Sequence, residues 1–202
     1  MNVITILPVV LGVFSILGDK ILEITSEEIL RAFVDNSVHG IIAFISWLII
    51  VLKSNKYKIY VINPYCDLLL SFIIGSAIDI DHFVLAKSFR IKDALNLGEK
   101  RPILHCTSLP LAFLSVTVVL NWFWKLPRLS CFGWMVWVAV FSHHVRDGYR
   151  RGLWFWPVGS TAPIPYLLYI LITVMLPNIS LTMMIDFHAY HQFHLYSNVS
   201  VV

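Results

Sequence analysis

The sequence predicts an all-α integral membrane bundle of about six transmembrane helices. Hydrophobic residues make up 58% of the chain and charged residues 13%, with a mean hydropathy of +0.76. Soluble domains are about 45–50% apolar and about 25% charged. The apolar residues gather into six runs, at roughly 3–18, 38–52, 65–78, 103–124, 131–145 and 164–185. A five-helix bundle follows instead if the first run, or the run at 131–145, does not cross the bilayer.

The six runs differ in how they reach the length of a membrane span. A transmembrane helix needs about 20 apolar residues, within a range of about 17–25. The first, fourth and sixth runs meet this length alone or nearly so, whereas the other three need the His and Asp residues at one of their ends. Polar side chains in a span are costly and usually face the bundle interior, so they indicate a site. We expect one membrane domain at 1–186 and a C-terminal tail at 187–202.

The distribution of charge predicts the orientation and the partners. Six spans place both termini on one side, here called side A, which carries five basic residues, against ten on the opposite side B. The positive-inside rule makes side B cytosolic, and we expect an endomembrane such as the ER or Golgi. The net charge is +3, and the charged residues are scattered along the chain without a block of like charges. This argues against nucleic-acid binding. The expected partners are the lipid bilayer and an amphiphilic substrate.

Four short motifs carry most of the unusual chemistry. They are DNSVHG at 35–40, DIDH at 79–82, RPILH at 101–105 and SHHVRD at 142–147. Spans two and four begin on side B and spans three and five end there, so all four motifs should share one membrane depth. Residues four apart on a helix share a face, which puts His39 beside Asp35 and His143 beside Asp147. His144 lies about 100° around the helix from His143 and should pack or hydrogen-bond elsewhere.

Imidazole and carboxylate groups at this density predict a site for a divalent metal, zinc above iron or manganese. More than four candidate ligands are present, so two alternatives stay open: a site with two metal ions, or a site in which some carboxylates orient the ligating histidines. Asp79 and Asp81 are the candidate catalytic bases. Arginines nearby could bind an anionic substrate group or merely reflect topology. The predicted metal ligands are His39, Asp79, His82, His105, His143 and Asp147, and the predicted substrate-binding residues are Arg101, Arg146, Arg150 and Arg151.

Other interpretations of the same residues stay open. A transporter would spread ionisable residues through the membrane depth, whereas these gather at one end. A non-catalytic scaffold or adaptor could retain the polar residues for structural reasons. The histidines of the tail, His188, His191 and His194, lie on side A, and we interpret them as ordinary interfacial or flexible residues.

The order of the motifs resembles a bacterial family of LexA-binding, inner-membrane-associated, metal-dependent hydrolases. That family shows a Pro-Asp-x-Asp-His box, a His-Arg-Gly-x-Thr-His-Ser box, and Ser-His-x-x-x-Asp followed by Gly and Trp-Pro. Here Ile78 replaces the proline and Lys100 replaces the first histidine of the second box. The resemblance covers about residues 35–160 and implies hydrolysis of a lipid-like ester or phosphoester at the cytosolic membrane face. DNSVHG, RPILHC and SHHVRDGYRRGLW are more closely similar to a eukaryotic multi-pass membrane family, which implies topology rather than activity.

Overall fold

The computed structural model describes the backbone of residues 3–54, 63–98 and 100–199, and the side chains of residues 5–54, 63–98 and 100–187. The predicted all-α membrane bundle is confirmed. A 3-10 turn lies at Ile103–His105, and two short antiparallel strands, β1 (Trp154–Phe155) and β2 (Gly159–Ser160), follow the penultimate helix. The helices are α1 (Val3–Ile24), α2 (Glu28–Ser54), α3 (Pro64–Ala77), α4 (Ile80–Ala86), α5 (Ile91–Leu95), α6 (Ser108–Trp124), α7 (Pro127–Arg151) and α8 (Tyr166–Val199).

Four segments of the described chain are long and apolar enough to cross a membrane: Thr5–Ile24, Glu28–Ser54, Pro64–Ala86 and Tyr166–Phe187. Helix α6 is apolar but shorter, at 17 residues. Helix α7 has 25 residues and packs against α2, α3, α6 and α8. Its last turns carry the His, Asp and Arg residues of SHHVRDGYRR, which lowers its average hydropathy. The six long elements therefore coincide with the six apolar runs of the sequence.

Glycines let α2 and α3 approach closely on the side of the bundle that holds the polar motifs. A Cβ added to Gly75 would lie 2.6 Å from the Cβ of Ala43 and 3.1 Å from the carbonyl oxygen of His39. A Cβ added to Gly40 would lie 2.3 Å from the Oγ of Ser76. Backbones this close leave no room for a larger side chain, and the contact brings His39 next to the end of α3.

Helix α7 ends at a residue that must be glycine. Gly152 has a φ of +72°, and a Cβ there would lie 2.0 Å from the carbonyl oxygen of Thr161. Its N–H donates to the carbonyl of Gly148, which satisfies one of the last carbonyls of the helix. The chain turns sharply here into the two strands, so the hairpin covers the same end of the bundle as the polar motifs.

Candidate metal centre

The DIDH motif lies at a break between two helices rather than within one helix. Helix α3 ends at Ala77 and α4 begins at Ile80, so Asp79 occupies the turn between them. Asp81 follows in the first turn of α4, and its side chain is almost fully buried. Two carboxylates only two residues apart can therefore point to different partners.

Four donor atoms from three parts of the chain converge at this end of the bundle, as the shared membrane depth predicts. His105 Nε2 lies 3.4 Å from Asp79 Oδ1, 3.4 Å from Asp147 Oδ2 and 3.3 Å from His143 Nε2. His143 Nε2 lies 3.5 Å from Asp79 Oδ1 and 3.4 Å from Asp147 Oδ2. All four atoms lie within 4.8 Å of one another. We call these atoms the four-donor group.

Hydrogen bonds orient both histidines of the four-donor group. His143 Nδ1 lies 2.9 Å from the carbonyl oxygen of Gly75, so this nitrogen carries the proton and donates. His105 Nδ1 lies 3.5 Å from Asp81 Oδ2, and the same oxygen accepts from the N–H of Leu104 at 2.7 Å. A partner on Nδ1 fixes the tautomer of a histidine and leaves the Nε2 lone pair free. Both Nε2 lone pairs therefore face the other donors.

His39 lies behind the four-donor group rather than within it. Its ring stacks on that of His143, with centroids 3.7 Å apart and planes 19° apart. Its Nε2 lies 3.4 Å from Asp147 Oδ1, the oxygen that the group does not use, and 4.0 Å from Asp35 Oδ1. The nearest described partner of His39 is therefore itself a candidate ligand, and the role of His39 as a ligand stays a prediction.

His82 and Asp81 form a second, smaller group with His105. His82 Nδ1 lies 3.3 Å from Asp81 Oδ1, and neither atom makes a hydrogen bond within the described part of the protein. The side chain of His82 is 22% exposed, and those of Asp79 and Asp147 are 29% and 28% exposed. Solvent can therefore reach the edge of the site from the His82 side.

His144 holds the segment that presents His105. Its Nε2 lies 2.8 Å from the carbonyl oxygen of Leu104, and its Nδ1 lies 3.3 Å from the hydroxyl of Thr107. Sequence reasoning set His144 apart from His143 but missed this role, since the 3-10 turn at 103–105 replaces the predicted start of a helix.

The arginines predicted to bind a substrate are mostly engaged within the protein. Arg146 is 0% exposed, and its Nη2 and Nη1 lie 3.1 Å from Asp19 Oδ1 and 2.5 Å from Asp35 Oδ1. Arg150 Nη1 lies 3.1 Å from Asp35 Oδ2. We call these four residues the arginine network. The side chain of Arg146 has no exposed surface and lies in the interior of the bundle, and its role in substrate binding stays a prediction.

The two other arginines differ from each other. Arg101 donates to the backbone carbonyl oxygens of Arg151 and Gly152, which ties the segment before His105 to the end of α7. Arg151 has an exposed side chain. Sequence reasoning missed the pairing of Asp19 with Arg146. The signal was indirect: an arginine inside an apolar bundle requires a carboxylate, and Asp19 ends the first apolar run.

A multi-pass helical membrane protein with a His/Asp cluster at one end of its bundle is the class that these observations define. The chain belongs to the transmembrane protein 267 family. It is 40% identical over 174 residues to the Bos taurus protein of that name and 39% identical over 177 residues to the Xenopus laevis protein. Each alignment covers 84% of this chain and 77% of the relative. The resemblance to a eukaryotic multi-pass membrane family is thereby confirmed.

The comparisons with protein families and with solved structures add nothing further. No family profile matches the chain, and no solved structure matches it. The relationship to the bacterial hydrolases accordingly stays a prediction. The apolar helices and the names of the relatives support a location in a membrane.

Proposed function

We propose that this protein is a metal-dependent hydrolase that acts at the cytosolic membrane face on an amphiphilic ester or phosphoester, such as a phospholipid. The spacing of the four-donor group carries the proposal. A tetrahedral ion with ligands at about 2.0–2.1 Å separates those ligands by about 3.3–3.4 Å. Five of the six distances within the group are 3.3–3.5 Å. Two imidazoles and two carboxylates are also a donor set that suits zinc.

The surrounding residues support this use of the four donors. Gly75 and Asp81 hold the Nδ1 protons of His143 and His105, which keeps both Nε2 lone pairs on the site. His39 contacts the second oxygen of Asp147 and restrains that carboxylate. Partners of this kind orient metal ligands and raise their basicity. A divalent cation in such a site would act as a Lewis acid and polarise a carbonyl or phosphoryl oxygen of the substrate.

His82 and Asp81 are the candidate pair for proton transfer. Asp79 takes part in the four-donor group, so of the two predicted bases Asp81 is the one left outside it. Asp81 is buried, whereas His82 is 22% exposed and its Nδ1 lies 3.3 Å from Asp81 Oδ1. A carboxylate close to one nitrogen of an imidazole stabilises the imidazolium, and this increases the basicity of the other nitrogen. We therefore propose His82 as the group that accepts a proton from water, with Asp81 as its partner.

Metal content tests the proposal first. The purified full chain should contain about one equivalent of zinc, and the His105→Ala/His143→Ala variant should contain none. A matched control, His188→Ala/His191→Ala/His194→Ala, removes tail histidines whose side chains lie outside the described residues, and should keep its zinc. Absence of zinc from the parent would contradict the proposed metal centre. Loss of zinc in the tail variant, with zinc retained in His105→Ala/His143→Ala, would contradict it as well.

Turnover tests the hydrolase separately from the metal. The zinc-loaded protein in mixed micelles would be assayed against fluorogenic phospholipid esters and phosphodiesters, with His82→Gln as the informative variant. We expect hydrolysis to fall by a factor of about 10²–10⁴ while the zinc content stays at the parent value. A hydrolysis rate of His82→Gln equal to that of the parent would contradict the role of His82 in proton transfer. If the parent hydrolyses none of these substrates, the proposed hydrolase activity is contradicted.

A metal-stabilised scaffold is the second candidate, and the four-donor group itself favours it. Four protein ligands close a tetrahedron, as structural zinc sites do, whereas catalytic sites usually keep one position for water or substrate. Under this alternative the parent binds zinc and unfolds without it, yet turns over no substrate. The transporter also stays a prediction, which ion or solute uptake into vesicles would test.

A further inference from the structure

The connection between α4 and α6 carries cations that no described carboxylate neutralises. Lys87, Arg90, Lys92 and Lys100 all have exposed side chains. None of them forms an ion pair with a carboxylate in the described part of the chain. Of the three arginines of α7 that were predicted to bind an anion, Arg146 and Arg150 are paired with Asp35, and Arg151 is exposed. The free cations of this end of the bundle therefore lie mainly on this connection, at residues 87–100.

Exposed apolar side chains lie on and beside the same connection. Phe89 is 99% exposed, and it stands between Lys87 and Arg90 in the sequence. Val84 and Ile103, at the two flanks of the connection, are 71% and 65% exposed. Exposed apolar side chains beside cations are typical of segments that lie in the interface of an anionic bilayer. The connection leaves α4 a few residues after His82 and reaches His105 in the 3-10 turn, so it borders the metal centre.

We propose that the connection at residues 87–100 binds the headgroups of anionic phospholipids in the cytosolic leaflet, with Phe89 inserted at the boundary of the acyl chains. Lys87, Arg90, Lys92 and Lys100 contact the phosphate and carboxylate groups of the lipid. Against the two acidic residues of the connection, Asp93 and Glu99, these four basic residues leave a net charge of +2 for the headgroups to neutralise. The surface borders the partly exposed side chain of His82, so anionic lipid is concentrated beside the edge of the site that meets solvent. The proposal is independent of catalysis and of bound metal.

A tryptophan at position 89 reports on the lipid that touches this surface. The full chain with Phe89→Trp is reconstituted in phosphatidylcholine vesicles that contain a tenth of either brominated phosphatidylserine or brominated phosphatidylcholine. The signal of the native tryptophans, measured in the parent, is subtracted. A juxtamembrane cation attracts anionic lipid with a free energy that corresponds to roughly a fivefold preference. We expect brominated phosphatidylserine to quench the added tryptophan several-fold more strongly than brominated phosphatidylcholine.

Charge variants locate the effect. Lys87→Gln/Arg90→Gln/Lys92→Gln/Lys100→Gln in the Phe89→Trp background should quench equally with both brominated lipids. Two matched controls should keep the preference: Lys20→Gln, at the same end of the bundle but paired with Glu23, and Lys125→Gln, at the far end of α6. Unchanged thermal unfolding of the quadruple variant shows that it folds.

Three outcomes would overturn the proposal. Equal quenching by both lipids in the charged protein means that the surface does not select anionic lipid. Absence of quenching by either lipid means that residue 89 stays in water. Loss of the preference when soluble glycerophosphoserine is added at the same total concentration as the phosphatidylserine means that the cations bind a free anion as readily as a lipid surface.

Discussion

Two polar groups at the same end of the bundle share helix α7 and differ in how their charges are balanced. In the arginine network, guanidinium nitrogens lie 2.5–3.1 Å from the carboxylate oxygens of Asp19 and Asp35. In the four-donor group, the closest contacts between donors are 3.3–3.5 Å, longer than a good hydrogen bond. Arg146 and Asp147 are neighbours in sequence yet belong to different groups. In the arginine network, protein cations balance the carboxylate charges. The donors of the four-donor group have instead the spacing that a small cation between them would produce.

This difference predicts opposite responses to mutation and to metal. Removing one partner of a buried ion pair leaves an uncompensated charge, which destabilises the fold. Removing one donor from the four-donor group should instead act through the affinity for metal. Mutation and removal of metal therefore separate these two behaviours.

The largest effect is expected for Arg146→Met. The substitution leaves the carboxylates of Asp19 and Asp35 without their fully buried partner, and breaking such a pair costs about 3–5 kcal/mol. Thermal unfolding in detergent should show a large decrease in stability whether or not zinc is present. Arg151→Met is the matched control, because its side chain is exposed, and it should unfold like the parent. An Arg146→Met protein as stable as the parent would contradict a structural role for the network.

Removal of metal should destabilise the parent and leave the ligand variant unaffected. A ligand that binds only the folded state at 100 times its Kd stabilises that state by about 2.7 kcal/mol. Stripping zinc with a chelator should therefore lower the unfolding temperature of the parent and not that of His105→Ala/His143→Ala. Unfolding curves with and without the chelator make this measurement. Equal shifts in both proteins would assign the metal to a place other than the four-donor group.

His39 should tune the affinity for zinc without being a ligand. His39→Phe preserves a ring that can stack on His143 but removes the Nε2 group that contacts Asp147 Oδ1. Loss of such an orienting partner typically costs a factor of about 10–100 in metal affinity. Competition against a zinc chelator of known affinity measures the change. Complete loss of zinc, as expected for His143→Ala, would make His39 a ligand after all.

The sequence predicts the site better than it predicts the roles within it. Apolar runs and the i, i+4 rule suffice to bring His143 and Asp147 to the same end of the bundle as His105, because topology alone fixes membrane depth. The partner of each arginine depends instead on how helices rotate about their axes. Arg146 pairs with Asp19, 127 residues away in the chain, and no local periodicity encodes that contact.

A second part of the site escaped prediction because the helices break. The DIDH motif reads as the end of one continuous span, and RPILH reads as the start of another. The turn at Asp79 and the 3-10 turn at Ile103–His105 are local departures from helix that an apolar pattern does not reveal. They decide that Asp79 joins the four-donor group while Asp81 holds His105. Sequence reasoning therefore named both carboxylates and left their roles open.

The smallest effect is expected at Arg150, at the solvent-exposed edge of the arginine network. It tests whether burial decides how much each ion pair of the network contributes to stability. Arg150 contacts Asp35 Oδ2 at 3.1 Å, but its side chain is 33% exposed. Exposed ion pairs contribute about 0–1 kcal/mol because solvent screens them, and Arg146 still compensates Asp35 when Arg150 is replaced. Arg150→Gln should therefore reduce the stability measured by chemical unfolding by no more than about 1 kcal/mol. A loss as large as that of Arg146→Met would mean that Asp35 depends on both cations, and that the network acts as one unit instead of a buried pair with an exposed rim.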